Sequence, residues 1–130
     1  MTRTSRTVRF AIALAAAGAA ALAGGAAAGG APEAGPAAEP VTKKVKVGDN
    51  FFKPARATVP KNSKISWKWL QGNGETHDVL LVNKPKGVKK FQSAPAATDF
   101  SFRRKLRKPG KYFLVCTFHE EMTMNIKVKG

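Results

Sequence analysis

Cys116-Thr117-Phe118-His119-Glu120-Glu121-Met122-Thr123-Met124 holds the sole cysteine of the 130-residue chain, one of its two histidines and two of its three methionines. A thiolate, an imidazole and a thioether so close together form a cluster of soft donors. Soft sulfur with imidazole suits copper, and two His, one Cys and a weak axial Met make up the blue-copper ligand set. The second histidine has to come from elsewhere, and the chain offers only His77. A lone Cys is otherwise a small buried hydrophobe, or in an exported protein a free or intermolecularly paired thiol. A closed zinc site needs further Cys or His ligands, which this sequence lacks.

The flanks give the cluster a frame. Lys108-Pro109-Gly110-Lys111-Tyr112-Phe113-Leu114-Val115-Cys116 reads as a Pro-Gly turn running into a strand. Alternation on that strand puts Tyr112, Leu114 and Cys116 on one face, aimed at a core. His119 is then expected in a loop just past the strand end. Met124, Ile126 and Val128 alternate with Asn125, Lys127 and Lys129 as a closing strand. With Pro109-Gly110-x-Tyr112, Cys116-Thr117-x-His119, a Met shortly after and an alternating last strand, residues 41–130 resemble the cupredoxins, the small blue copper proteins such as plastocyanin, amicyanin and pseudoazurin.

That resemblance implies an all-β, Greek-key β-sandwich of about seven or eight strands. It also implies one type 1 copper ion held by His77, Cys116, His119 and an axial Met. In the family about three residues separate that Met from the first apolar residue of the last strand. Met122 before Ile126 fits the spacing; Met124 does not, and its parity with Ile126 and Val128 gives it a core reading. Met122 is therefore the favoured axial ligand, with Met124 the alternative. His77 stands where a loop enters a strand, as the family's upstream ligand does; alone it would read equally well as a structural histidine. The following position in relatives is often an Asn that ties the two ligand loops together. Here it is Asp78, and an ionised carboxylate accepts but cannot donate, which puts that tie and the reduction potential in question. Glu120 and Glu121 are a second departure, standing where relatives often carry Pro and Gly or an aromatic residue.

The N-terminal part lies outside this frame. Arg3, Arg6 and Arg9 precede an Ala-rich apolar run, Ile12 to Ala23, with Ala-x-Ala sites at 21–23 and 26–28. Residues 1–28 thus read as a secretory signal peptide, and the protein as periplasmic or extracellular. The competing reading is an uncleaved membrane anchor over Phe10 to Ala31, which carries no charge and is long enough to span. No Arg-Arg pair supports twin-Arg export, and no cysteine follows the run to carry a lipid. Residues 29–40, rich in Ala, Pro and Gly, read as a linker.

From 41 onward the chain reads as strands. Val45 and Val47 stand against Lys44 and Lys46, Gly48-Asp49-Asn50 makes a turn, and Ala57 to Pro60 leads into the turn Lys61-Asn62-Ser63. Ile65, Trp67 and Trp69 alternate with polar residues, and the two tryptophans are expected in the core. Val79–Val82 is a continuous apolar run, which predicts a strand buried on both faces. Phe91 to Ala97 is expected to wrap the sandwich, and Thr98 to Lys108 to form a charged strand.

The chain carries 23 Lys and Arg against eight Asp and Glu. Without the three leader arginines the charge is +12. Scattered lysines guard strand edges, but a field of this sign also steers a protein towards an acidic redox partner or an anionic envelope surface. Nucleic acid is not expected, since the sequence offers neither stacking platform nor reading motif. No acid–base pair or open metal position suggests an enzyme. The reading is a monomeric one-electron carrier, with the His119 edge as its port by family analogy. The alternatives are an extracytoplasmic copper-binding protein for delivery, storage or resistance, and a metal-free module on the same scaffold.

Overall fold

In the computed structural model, residues 35–130 are described, so the signal-peptide reading lies outside them. Residues 35–40 are exposed and without regular structure. Eight strands follow: β1 (Thr42–Gly48), β2 (Phe51–Lys53), β3 (Arg56–Pro60), β4 (Ser63–Trp69), β5 (Leu80–Asn83), β6 (Ser101–Leu106), β7 (Gly110–Cys116) and β8 (His119–Lys129). They form two four-stranded sheets, ordered β2-β1-β4-β6 and β3-β8-β7-β5. Both sheets are mixed, because β1 pairs parallel with β4 and β3 parallel with β8. A parallel pair cannot be closed by a tight turn, so the chain crosses between sheets instead. This is the all-β Greek-key sandwich expected from the sequence.

Alternation decides the core. On β4, Ser63, Ile65, Trp67 and Trp69 point inward and Lys64 and Lys68 outward. On β7 the inward set is Tyr112, Leu114 and Cys116, and on β8 it is Met122, Met124, Ile126 and Val128. Fully burying side chains of this size stabilises by about 1.5–3 kcal/mol each. Trp67 packs near Phe102 at 5.8 Å between ring centroids, and Trp69 meets Phe100 edge-on at 4.8 Å. The turns use residues that tolerate positive φ: Asn50 at 62° and Asn62 at 67°.

Two expectations are corrected. The run Val79–Val82 is not a doubly buried strand: β5 lies at the edge of its sheet, and Val82 is 46% exposed. Its free side is covered by the segment after it. Ser93 N–H donates to the Val79 carbonyl at 2.9 Å and Leu81 N–H to the Phe91 carbonyl at 3.0 Å. The wrapping segment expected at 91–97 is therefore what lends the edge strand its apolar character. The second correction concerns the last strand. It begins at His119, not Met124, and pairs there with Cys116, so only Thr117 and Phe118 form the turn.

Candidate metal centre

β7 carries Cys116 inward at its last position. Pairing with β8 is regular from Gly110↔Val128 to Val115↔Thr123, then shifts so that Cys116 faces His119. Glu120, Glu121 and Met122 are thereby left between two consecutive pairs. Such a bulge re-aims side chains and is common beside functional sites. Here the two glutamates turn outward and Met122 is buried. Met124 is buried too, but within regular pairing opposite Leu114.

The upstream histidine is held by its backbone and from both sides. His77 N–H donates to the Ala96 carbonyl at 2.9 Å, and Ala96 N–H returns the bond at 3.0 Å. Trp69 Nε1–H adds a third contact, to the His77 carbonyl at 3.2 Å. These bonds place the ring against the end of β7. His77 Nδ1 lies 3.2 Å from His119 Nδ1 and 4.0 Å from Cys116 Sγ, and His119 Nδ1 lies 3.7 Å from that sulfur. Three donors expected from the sequence thus converge on one spot. His77 and Cys116 are buried, and the His119 side chain is 21% exposed.

The far nitrogens are also occupied. His77 Nε2 is 2.8 Å from Asp49 Oδ1, and His119 Nε2 is 3.1 Å from Glu75 Oε2. An ionised carboxylate can only accept, so each Nε2 carries a proton, and in the neutral imidazole each Nδ1 is then the lone pair. Two imidazole lone pairs and a thiol sulfur therefore face one another. Nothing in the set supplies the positive charge they would share, and a soft cation does. The donor chemistry fits copper. Metal-ligating histidines characteristically donate their other N–H to such a carboxylate.

Asp78 answers the question raised by its sequence. It is 1% exposed and accepts three bonds: Thr117 N–H at 2.7 Å, Thr117 Oγ–H at 2.7 Å and Gln92 Nε2–H at 2.8 Å. The tie between the ligand loops, which the sequence left in question, is present. Thr117 supplies the donors, so an acceptor-only side chain suffices. The bond to Thr117 N–H also satisfies the backbone of the two-residue turn, which lets β8 start at His119.

Sequence reasoning missed Asp49 and Glu75. Asp49, in the β1–β2 turn, also accepts from Gly74 N–H at 2.9 Å and Glu75 N–H at 3.2 Å. The Gly74 bond above all, with the His77 contact next, holds its carboxyl below the usual carboxylate range. One signal was available. All six acidic residues within 41–130 (Asp49, Glu75, Asp78, Asp99, Glu120 and Glu121) fall in the turns and strand ends around the ligands, in a domain otherwise basic.

A β-sandwich with two histidines and a cysteine meeting at one end is a cupredoxin with a type 1-like copper site. The match to known proteins makes that specific. Residues 40–129 match the family described as copper binding proteins, plastocyanin/azurin family, and the chain belongs to it. Among solved structures it is similar to a copper-containing nitrite reductase from Thermus scotoductus SA-01, at 21% identity and TM-score 0.61. That likeness covers 72% of this chain but only 23% of the reductase. A purple cupredoxin from Nitrosopumilus maritimus is 18% identical with TM-score 0.58, over 67% of this chain and 99% of that one. A pseudoazurin from Sinorhizobium meliloti is 19% identical with TM-score 0.57, over 69% and 75%. Likeness at these identities speaks for the fold. No curated protein matches the sequence.

Proposed function

We propose that this protein is an exported one-electron carrier whose copper is held by His77, Cys116 and His119, with Met122 as the weak axial ligand. Copper supplies the one-electron couple; the chain supplies a fixed site for it. The observation that carries the reading is the convergence of both Nδ1 atoms and the Cys116 sulfur, within 4.8 Å of one another, beneath a partly exposed imidazole. The bulge supports Met122. Continuing the regular register would set Met122 opposite Cys116, whereas Met124 faces Leu114, one inward position before Cys116 on β7. Phe118, 53% exposed, lies beside His119 in the chain and offers a small apolar contact at the port.

The partner in this reading is an acidic redox protein, with an anionic envelope surface as a second attraction. Lys89, Lys90, Arg104, Lys105, Arg107 and Lys108 line one groove of about 480 Å³, a concentration of charge suited to steering. The reaction of the nitrite reductase belongs to that protein and is not carried over.

The test is a visible spectrum of the full chain with one equivalent of Cu(II). An intense thiolate-to-copper band is expected, lost in Cys116→Ser and shifted in Met122→Leu but not in Met124→Leu. A pale product, or copper surrendered to a mild chelator, would assign the protein to copper handling instead.

A further inference from the structure

Both histidines of the site are backed by a carboxylate, and the two carboxylates come from different segments. Asp49 reaches His77 from the β1–β2 turn, and Glu75 reaches His119 from the loop before β5. A neutral acceptor such as a carbonyl would fix the same tautomer. A carboxylate does that and adds a negative charge one imidazole away from the metal position. In a domain of 20 Lys and Arg and only six acids, this placement puts scarce negative charge where cationic charge changes during the cycle.

We infer that Asp49 and Glu75 are positioning residues that set the reduction potential, each strengthening its imidazole as a donor and biasing the site towards Cu(II). The inference rests on the copper-carrier reading and goes beyond it. The oxidised ion carries one more positive charge than the reduced one, so every nearby anion favours it, and hydrogen-bonded ligands become more basic. The two contributions differ. Asp49 is 39% exposed and fixed by two backbone N–H groups as well as His77. Glu75 is 54% exposed with His119 as its described partner, so solvent and salt screen it more strongly.

Glu75→Gln and Asp49→Asn keep an oxygen acceptor and remove the charge. In the copper-loaded full chain, Asp49→Asn is expected to shift the Cu(II)/Cu(I) equilibrium about tenfold towards Cu(I), a rise of ~59 mV for one electron. For Glu75→Gln the expected shift is about threefold, ~28 mV by the same constant. The Glu75 effect should shrink in 1 M salt more than the Asp49 effect. Nitrogen-15 spectra of the metal-free proteins should show Nε2–H on both rings in wild type and in Glu75→Gln, which separates charge from ring orientation. A normal blue band with unmoved potentials in both variants would overturn this inference and leave the carrier reading standing. Absence of the band in wild type would overturn both. Glu75 sits at the surface, so its variant decides the matter even where Asp49→Asn, which also unties Gly74, fails to fold.

Discussion

The two ends of this sandwich are built differently. At the metal end, side chains tie the loops: Asp49 to Gly74, Glu75 and His77; Asn73 to the Val47 and Ala97 carbonyls; Asp78 to Thr117 and Gln92; Trp69 to His77. At the opposite end, backbone bonds close the strands, Lys61 N–H to the Lys129 carbonyl and Asn62 N–H to the Leu106 carbonyl. There side chains add fewer ties among the described residues: the Tyr112 hydroxyl on the Lys108 carbonyl, Lys108 Nζ on the Lys86 carbonyl, and Val41 N–H on Ser63 Oγ. Backbone pairing is indifferent to side-chain identity, so that end can vary and accumulate lysines. The His77 loop lies beyond the β5–β7 ladder, which begins at Leu80↔Val115, and the metal end uses specific polar side chains to tie it to the β7–β8 turn.

The most severe break in this comparison is Asp78→Ala. It removes three bonds to a buried carboxylate at once, from donors on the exposed Thr117 and Gln92, each worth about 1 kcal/mol net, and it cuts the link between the His77 loop and the Cys116–His119 turn. A loss of about 3 kcal/mol or more in denaturant unfolding is expected, with a blue band that is weakened or broadened in the surviving fold. Band and stability both unchanged would mean the loops hold position without Asp78. A milder break is Trp69→Phe, which keeps an aromatic beside Phe100 but removes the Nε1–H bond to the His77 carbonyl. The loss should be about 2 kcal/mol, from the bond and from the smaller ring in a packed site. His77 keeps its two Ala96 bonds, so the copper spectrum should shift less than in Asp78→Ala.

The same comparison explains what the sequence could and could not show. Cys116, His119 and His77 were legible because their residue types are scarce and together they make one soft donor set. β4 and β7 were legible because strict alternation admits few other folds. Val79–Val82 misled because a run of four apolar residues does not say what covers it: the cover is segment 91–96, brought back by a loop rather than by a neighbouring strand. Asp78 left the tie open because its role was judged from its own hydrogen-bonding capacity, while the donors lay on Thr117, 39 positions away. Asp49 and Glu75 were silent for a similar reason. An acid in a turn looks like solvated charge until the fold brings an imidazole to it.

The smallest effect is expected at the end away from the metal, and it tests whether the two ends are independent. Burial raises the Tyr112 phenol above its ordinary value, and its hydroxyl donates to the Lys108 carbonyl, a bond that only the neutral phenol can make. The neutral phenol is thus the form the fold favours. Its contribution is fully present below the unfolded-state value of about 10. As pH rises past that point the unfolded chain ionises first, and the contribution drains away until the raised folded value is reached. Tyr112→Phe should lose about 1 kcal/mol at neutral pH for the missing hydrogen bond, and should unfold with a flatter alkaline limb than wild type above pH ~10. Tyr112 and Cys116 share the inward face of β7, two inward positions apart, so the strand itself is the only covalent route between them. An unshifted blue band in Tyr112→Phe would show that β7 carries no strain from one end to the other. A shifted band would mean that the tyrosine sets the seating of Cys116, and the division into two ends would have to be given up.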